Sequence, residues 1–290
     1  MKPWFFMDKK IIDINDLPKY SKWIDIIMGL ESVAKKNKTE QELKREYEYE
    51  KWNPLLKLVS QNESLKLEDV DKLQYRQDNQ ICIYYRNEFI LTSSYAAYQI
   101  YLEIVNQNLS PLLGSVSSLV ELGSGYGNII LNIALRNPLF RKKLFAGEFA
   151  ESGVALSQLL ANREKIELIS GRCNFLNLDF PDFHIPEDSL IFFSCALMSI
   201  PEMPSEFLDR LLRVKPKYIV LFEPCKELFD LTTIHGILKI RYIEINDYNK
   251  NIYSYFTKSS RLNLIKIEKN VFGSNPLLPV SIMIFEVKND

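Results

Sequence analysis

From Ser117 onward, short apolar runs alternate with amphipathic stretches. The runs are Ser118 to Leu122, Leu144 to Glu148, Ile166 to Ile169, Leu190 to Ser194 and Tyr218 to Phe222. Helical periodicity over Asn128 to Arg136, Ser152 to Arg163 and Ser205 to Leu212 separates several of them. Strands joined through helices run parallel and are covered on both faces, so the pattern predicts βαβ units around a mostly parallel sheet. After Glu223 the pattern loosens, with a helix expected around Ile252 to Leu262. Two further strand-like runs, Leu264 to Val271 and Val280 to Val287, have Gly273, Pro276 and Pro279 between them. They read as an antiparallel pair closing the sheet.

Residues 1 to about 115 carry a helical pattern instead. Ile24, Ile27, Met28 and Leu30 make one apolar stripe, and Thr39 to Val59 is rich in Glu, Lys, Leu and Tyr. Thr39 can cap that helix, with Glu42 three residues on completing a capping box. A further helix is expected from Ser93 or Ser94, carrying Tyr98, Tyr101, Leu102 and Val105 on one face. Pro54 and Pro111 are expected boundaries or kinks. The expected organisation is a helical region over 1–111 followed by an α/β domain over 112–290.

Composition narrows the function. Hydrophobic residues are 47% and charged residues 25%, with a net charge of −1 and both signs interleaved, as in an ordinary globular protein. No basic face marks a nucleic-acid partner. No apolar run is long enough to span a membrane. The run Met1 to Phe6 is too short for a secretory signal core. Cys82, Cys173, Cys195 and Cys225 lie far apart without a C-x-x-C pair, and His184 and His235 are the only histidines. Reduced thiols in a cytoplasmic protein without a metal centre are expected.

The most informative stretch is Leu119-Val120-Glu121-Leu122-Gly123-Ser124-Gly125-Tyr126-Gly127-Asn128. An apolar strand runs into three alternate glycines, and a helix follows. Glycine suits a tight turn and close approach of a ligand to backbone. The helix N-terminus beyond it offers unpaired N–H groups and positive potential. The dinucleotide fingerprint G-x-G-x-x-G needs glycine where Asn128 stands, so the spacing departs from nicotinamide and flavin sites. Glu148 closes the next strand, where a carboxylate can accept both hydroxyls of a ribose.

Glu121 to Gly127 resembles the first motif of class I S-adenosylmethionine-dependent methyltransferases. The resemblance spans about residues 112–290 and implies a Rossmann-like sheet with S-adenosyl-L-methionine as cofactor. Glu121, Gly123, Ser124, Gly125 and Gly127 would then form the cofactor loop. Glu148 and Phe149 match the second acidic position, and Asn174-Phe175 the adenine-contacting one. That family often has Asp where Asn174 stands, but an amide can still accept from the adenine amino group and donate to a ring nitrogen. Leu190 to Ala196 resembles the fourth strand and Tyr218 to Pro224 the fifth, placing Ser194 and Cys195 on the cofactor side and Met198 on the acceptor side.

A methyltransferase must hold its acceptor in line and, for some acceptors, remove a proton. The [DN]-P-P-[YF] motif of amino-methylating nucleic-acid and glutamine enzymes is missing, with Ser194-Cys195-Ala196-Leu197 in its place. A small-molecule, sugar or peptide acceptor methylated on oxygen is the leading expectation. N-methylation of an amine and a catalytically silent cofactor-binding scaffold are the alternatives. The N-terminal helices would cover the site as a substrate cap. Ile83 to Glu88, ahead of Thr92 to Tyr95, is the candidate cover, in which Arg86 could pair with the methionyl carboxylate or an acidic acceptor and Tyr84 and Tyr85 could line the acceptor pocket, while His235 could serve as general base. Each also has a plain structural reading: a surface ion pair, half-buried packing and a buried histidine.

Overall fold

The computed structural model describes residues 10–33, 39–140, 142–179 and 182–288, so the Met1 to Phe6 run lies outside the described residues. Ten strands form one sheet: β1 (Lys10–Ile12), β2 (Gln80–Tyr85), β3 (Glu88–Ser93), β4 (Ser118–Leu122), β5 (Lys143–Glu148), β6 (Leu168–Arg172), β7 (Leu190–Ser194), β8 (Tyr218–Glu223), β9 (Leu262–Gly273) and β10 (Val280–Val287). Their order across the sheet is β1-β3-β2-β9-β10-β8-β7-β4-β5-β6. Strands β4 to β8 pair in parallel, and β10 lies antiparallel between β8 and β9. Counted from β4, the parallel strands follow the doubly wound order third, second, first, fourth, fifth. This is a Rossmann-like sheet, with an antiparallel strand at the far side of the fifth.

The strands read as unbroken apolar runs because both faces are buried. Leu119, Leu190, Phe192, Val220 and Phe222 enter the core on one face. Val120, Leu122, Ile191, Phe193 and Leu221 enter the core on the other. Helices α1 (Trp23–Ile27), α2 (Glu40–Lys44), α3 (Asn53–Ser60), α4 (Leu67–Gln74) and α5 (Ser94–Leu113) precede β4. Helices α6 (Asn128–Arg136), α7 (Glu151–Glu164), α8 (Phe207–Leu212), α9 (Ile234–Ile245) and α10 (Ile252–Thr257) follow it.

The N-terminal region is helical for the most part, yet it also contributes β1, β2 and β3 to the sheet. Arg86 and Asn87, with φ of 45° and 70°, make the two-residue turn between β2 and β3. The segment around it is rich in β-branched and aromatic residues, and β2 adds itself to β9 through Tyr84↔Gly273 and Tyr85↔Phe272. Of the apolar stripe near Ile24, Ile24 is buried whereas Met28 and Leu30 are exposed, because α1 ends before them. Pro111 sits inside α5 rather than ending it. Pro54 opens α3, and the turns before it, Arg45–Trp52, widen into a π-helix. Proline removes one helix donor and crowds the preceding turn, so a widened ladder there relieves both effects.

The end of α3 is clamped to α7. The Arg163 guanidinium donates to the carbonyls of Val59 (2.9 Å), Asn62 (3.0 Å) and Leu65 (2.7 Å). Glu164 accepts from the Leu67 amide at 2.9 Å, where α4 begins. Arg163→Ala leaves those helix-end carbonyls unsatisfied and is expected to destabilise the protein by about 1–3 kcal/mol. The check is urea denaturation, in which the midpoint should fall with little change in slope.

Candidate functional site

A cleft of about 640 Å³ opens at the carboxyl ends of the parallel strands. It lies where the strand order reverses between β4 and β7, the position at which open α/β sheets bind ligands. Glu121, Gly123, Ser124, Gly125, Glu148 and Phe149 line one side. Asn174, Phe175, Ser194, Cys195 and Met198 line the floor and far wall. Gly127 stands just behind, as the left-handed N-cap of α6 with φ 75°. The sequence-expected cofactor residues are thus gathered in one place, apart from Arg86.

The glycine loop is built by close packing. A Cβ at Gly123 would stand 2.3 Å from the Ala196 Cβ, and one at Gly125 would stand 3.0 Å from the Trp52 ring. Both residues also have positive φ, 79° and 57°, which disfavours a side chain. Gly153 had no signal in the spacing. A Cβ there would come within 2.8 Å of both the Glu148 Cγ and the Gly125 carbonyl, so glycine lets α7 approach the loop.

Buried carboxylates hold the loops in place. Glu121 accepts from the Ile130 amide (3.0 Å) in the first turn of α6. Glu148 accepts from the amides of Gly125 (2.7 Å) and Ala150 (3.1 Å). Burial pushes its pKa up to about 7, against the pull of those amides. Glu223, at the end of β8, accepts from the amides of Ala196 (2.7 Å), Leu197 (2.9 Å) and Met198 (3.2 Å). Its pKa is likewise raised by burial to about 7. Cys195 turns the chain into that contact with φ 53°, a conformation unusual for a non-glycine residue. Burial takes its thiol up to about 12, so it is not a thiolate at neutral pH.

The α2–α3 rod lies along the same cleft and supplies Leu43, Tyr47, Lys51 and Trp52 to its lining. Glu48 of the π-helical turns accepts from the Ser152 amide at 3.1 Å, and Glu40 accepts from the Asn174 side chain at 3.0 Å. Lys51 is ion-paired to Glu46 at 2.8 Å, and its ammonium stands 4.2 Å from the centre of the Tyr47 ring. Two buried polar atoms in this cleft, Trp52 Nε1 and Ser124 Oγ, have no hydrogen-bond partner within the protein. Buried groups of that kind are rare unless something else satisfies them. They fit a polar ligand lying between the rod and the glycine loop.

Beyond the glycine loop the cleft wall is aromatic. Tyr75 and Tyr98 stack at 3.9 Å and 6°, and Tyr101 stacks on Phe272 at 5.4 Å and 23°. Behind them Asp71 is 1% exposed and accepts from Tyr126 (2.7 Å), Asn132 (2.8 Å) and Tyr98 (3.1 Å). Burial raises its pKa to about 6.

Four expected residues lie elsewhere. Arg86 is exposed at the β2–β3 turn, with its guanidinium 5.4 Å from the centre of the Tyr85 ring, and does not line the cleft. Tyr84 is buried with Phe89 in a separate apolar cluster and donates to Asn87 at 2.6 Å. Tyr85 is half-buried against the main core. His235 meets the Pro276 carbonyl at 2.8 Å and packs against the Tyr84 and Phe89 rings. Burial depresses its pKa to about 4, so it is a neutral packing residue away from the cleft. Arg86, Tyr84 and Tyr85 miss the cleft because Gln80 to Ser93 folds as a β-hairpin, which puts Arg86 at its tip and sends Tyr84 into the separate cluster, whereas its Ile81 does line the cleft; His235 misses it because α9 packs against that separate cluster. His184 is exposed, and Cys82, Cys173 and Cys225 are buried thiols.

No protein-family model and no curated protein sequence matches the chain. Solved structures do match it in fold. A geranyl diphosphate C-methyltransferase from Streptomyces coelicolor A3(2), solved with S-adenosyl-L-homocysteine, is 11% identical at a TM-score of 0.45, over 64% of this chain and 79% of that one. A putative sarcosine dimethylglycine methyltransferase from Galdieria sulphuraria is 14% identical at 0.46, over 67% and 86%. A pericyclic reaction enzyme is 13% identical at 0.43, over 60% and 44%. At such identities the likeness is one of fold and leaves the chemistry open. The strand order and the glycine loop are by themselves those of a Rossmann-like α/β fold.

The raised carboxylates give a pH dependence with a definite sign. A carboxylate whose folded pKa lies above its unfolded value contributes stability that is complete below the unfolded value and lost as pH rises through the folded one. Glu148 and Glu223, both near 7, should therefore make the ligand-free protein less stable at about pH 8 than at pH 6.5. His235 acts in the opposite sense only below its ordinary value of 6.5. Calorimetric melting across that window is the check, and Glu223→Gln should flatten the decline. A melting temperature that rises over the window would contradict the assignment.

Proposed function

We propose that the protein is an S-adenosylmethionine-dependent methyltransferase acting on the oxygen of a small-molecule acceptor. The observation that carries this reading is the pair of unsatisfied atoms, Ser124 Oγ and Trp52 Nε1, facing a glycine loop beside Glu148. In this reading Glu148 receives the ribose hydroxyls, Asn174 and Phe175 border the adenine, and the Gly123–Gly125 backbone takes the methionyl part. When bound, the cofactor supplies an electrophilic methyl group on a sulfonium. The rest is the work of this chain. The α2–α3 rod excludes water, the Tyr47 and Trp52 rings favour a cation beside them, and the floor holds the acceptor in line.

Residues 1–111 act as the cap over the acceptor. The end of α4 and the face of α5 bring Tyr75, Tyr98 and Tyr101 to the cleft wall, with Asp71 of α4 behind them. In place of His235, Asp71 is the proton sink, reached through the hydroxyls of Tyr126 and Tyr98. A carboxylate that titrates near 6 is ionised at neutral pH and can take a proton through such a chain. No helix among the described residues is long and apolar enough to cross a membrane.

Isothermal calorimetry should detect S-adenosylhomocysteine binding and no appreciable NAD binding. Gly125→Val should abolish it, because a side chain there meets the Trp52 ring and strains the loop. Glu148→Ala should weaken binding by about 1.5–3 kcal/mol, the range for hydrogen bonds to a charged group. Affinity should also rise with pH up to about 7, because the hydroxyls donate to the ionised carboxylate. Tight NAD binding without S-adenosylhomocysteine binding would overturn the reading.

A further inference from the structure

We infer that the acceptor subsite takes a flat, uncharged aromatic ring carrying a hydroxyl group. The inference rests on the methyltransferase reading and names the substrate class of the same cleft. Tyr98 and Tyr101 are three residues apart on α5 and so share one face of it. Each is extended by a second ring, Tyr98 by Tyr75 and Tyr101 by Phe272, giving a wall of two stacked pairs. Ile81, Ala97 and Ile129 fill the lining around them with apolar surface. Such a wall suits another planar ring, which gains both buried area and offset stacking.

Charge selects further. Lys51 is the only cation among the described residues lining the cleft, and it is already paired with Glu46 on the rod. Asp71 stands behind the tyrosines as a negative charge at neutral pH. A carboxylate or phosphate on the ring would therefore be desolvated without a partner and repelled. An ammonium would fare little better. The Asp71 oxygens are occupied by Tyr98, Tyr126 and Asn132, so no carboxylate is left to meet it directly. A neutral hydroxyl, by contrast, finds hydroxyl partners. Tyr101 and Ser194 are joined at 2.7 Å, and the Tyr75 oxygen accepts from Asn128 at 3.3 Å. All four residues line the cleft alongside Cys195, at the end of β7.

The reaction then balances as follows. The hydroxyl oxygen forms a bond to the methyl carbon, the carbon–sulfur bond of the donor breaks, and its electron pair stays on sulfur. The hydroxyl proton passes to Tyr75, from Tyr75 to the hydrogen-bonded Tyr126, and from Tyr126 to Asp71.

Three naphthalene probes of matched shape test the inference on protein saturated with S-adenosylhomocysteine. By calorimetry, 2-naphthol should bind at least about tenfold tighter than 2-naphthoate or 2-(aminomethyl)naphthalene, since only the charged probes lose hydration without gaining a partner. Equal or tighter binding of either charged probe would overturn the inference, as would no binding of 2-naphthol. Ser274 is exposed at the cleft mouth, so Ser274→Trp can narrow the subsite without touching the core. It should abolish 2-naphthol binding while leaving S-adenosylhomocysteine affinity intact. Unchanged 2-naphthol affinity would place the ring elsewhere and count against the inference. If S-adenosylhomocysteine itself fails to bind, the methyltransferase reading falls. The same probes on the ligand-free protein then test the aromatic subsite by itself.

Discussion

Backbone amides at the carboxyl edge of a parallel sheet lose their ladder partners where the strands end, and at a closed site water cannot replace them all. In this protein Glu121, Glu148 and Glu223 accept from amides of α6, of the glycine loop and of the segment after β7. Each acid is itself buried, and burial raises its pKa: Glu148 and Glu223 gather two and three amide donors, whereas Glu121 has the Ile130 amide. The geometry of the cleft follows from that exchange. The glycine loop is tied to the next strand, and the floor is tied to the strand beyond. One arrangement of acids therefore fixes the loops around the cleft.

The parallel sheet was legible because its strands are apolar on both faces and its helices are not. Strands β4, β7 and β10 and helix α6 begin and end where the pattern places them. β6 starts two residues later than the apolar run because Ile166 and Glu167 still belong to the turn after α7. Glu148 was readable from its strand-end position, and Glu223 occupies the equivalent position on β8 without a glycine loop to draw attention to it. Trp52, Tyr47 and Asp71 were not readable in this way. Tyr47 and Trp52 reach the cleft, and Asp71 the layer behind its tyrosines, from helices more than fifty positions away in sequence, and their helical periodicity reports only that one face is covered. What covers it is decided by tertiary contact.

The β2–β3 hairpin interrupts the helical pattern of the N-terminal region. Gln80 to Ser93 has β-branched and aromatic residues on both sides of Arg86-Asn87, a pair that can take the left-handed turn. The signal for a hairpin was present, and the helical pattern around it outweighed that signal. A hairpin sends alternate side chains to opposite faces, so Tyr84 entered a different apolar cluster and Arg86 was left at the tip.

Pairing β2 with β9 joins the beginning of the chain to nearly its end, through Tyr84 and Gly273. During synthesis the strands β4 to β8 emerge in sequence and can pair with one another as they appear. The N-terminal hairpin is made first but has no sheet edge to join until β9 has left the ribosome. Contacts so distant along the chain are slow to form, because the loop they close is long. The hairpin is thus synthesised before β4 to β8 and docks after them. An apolar hairpin must meanwhile stay soluble while the rest of the domain is being made.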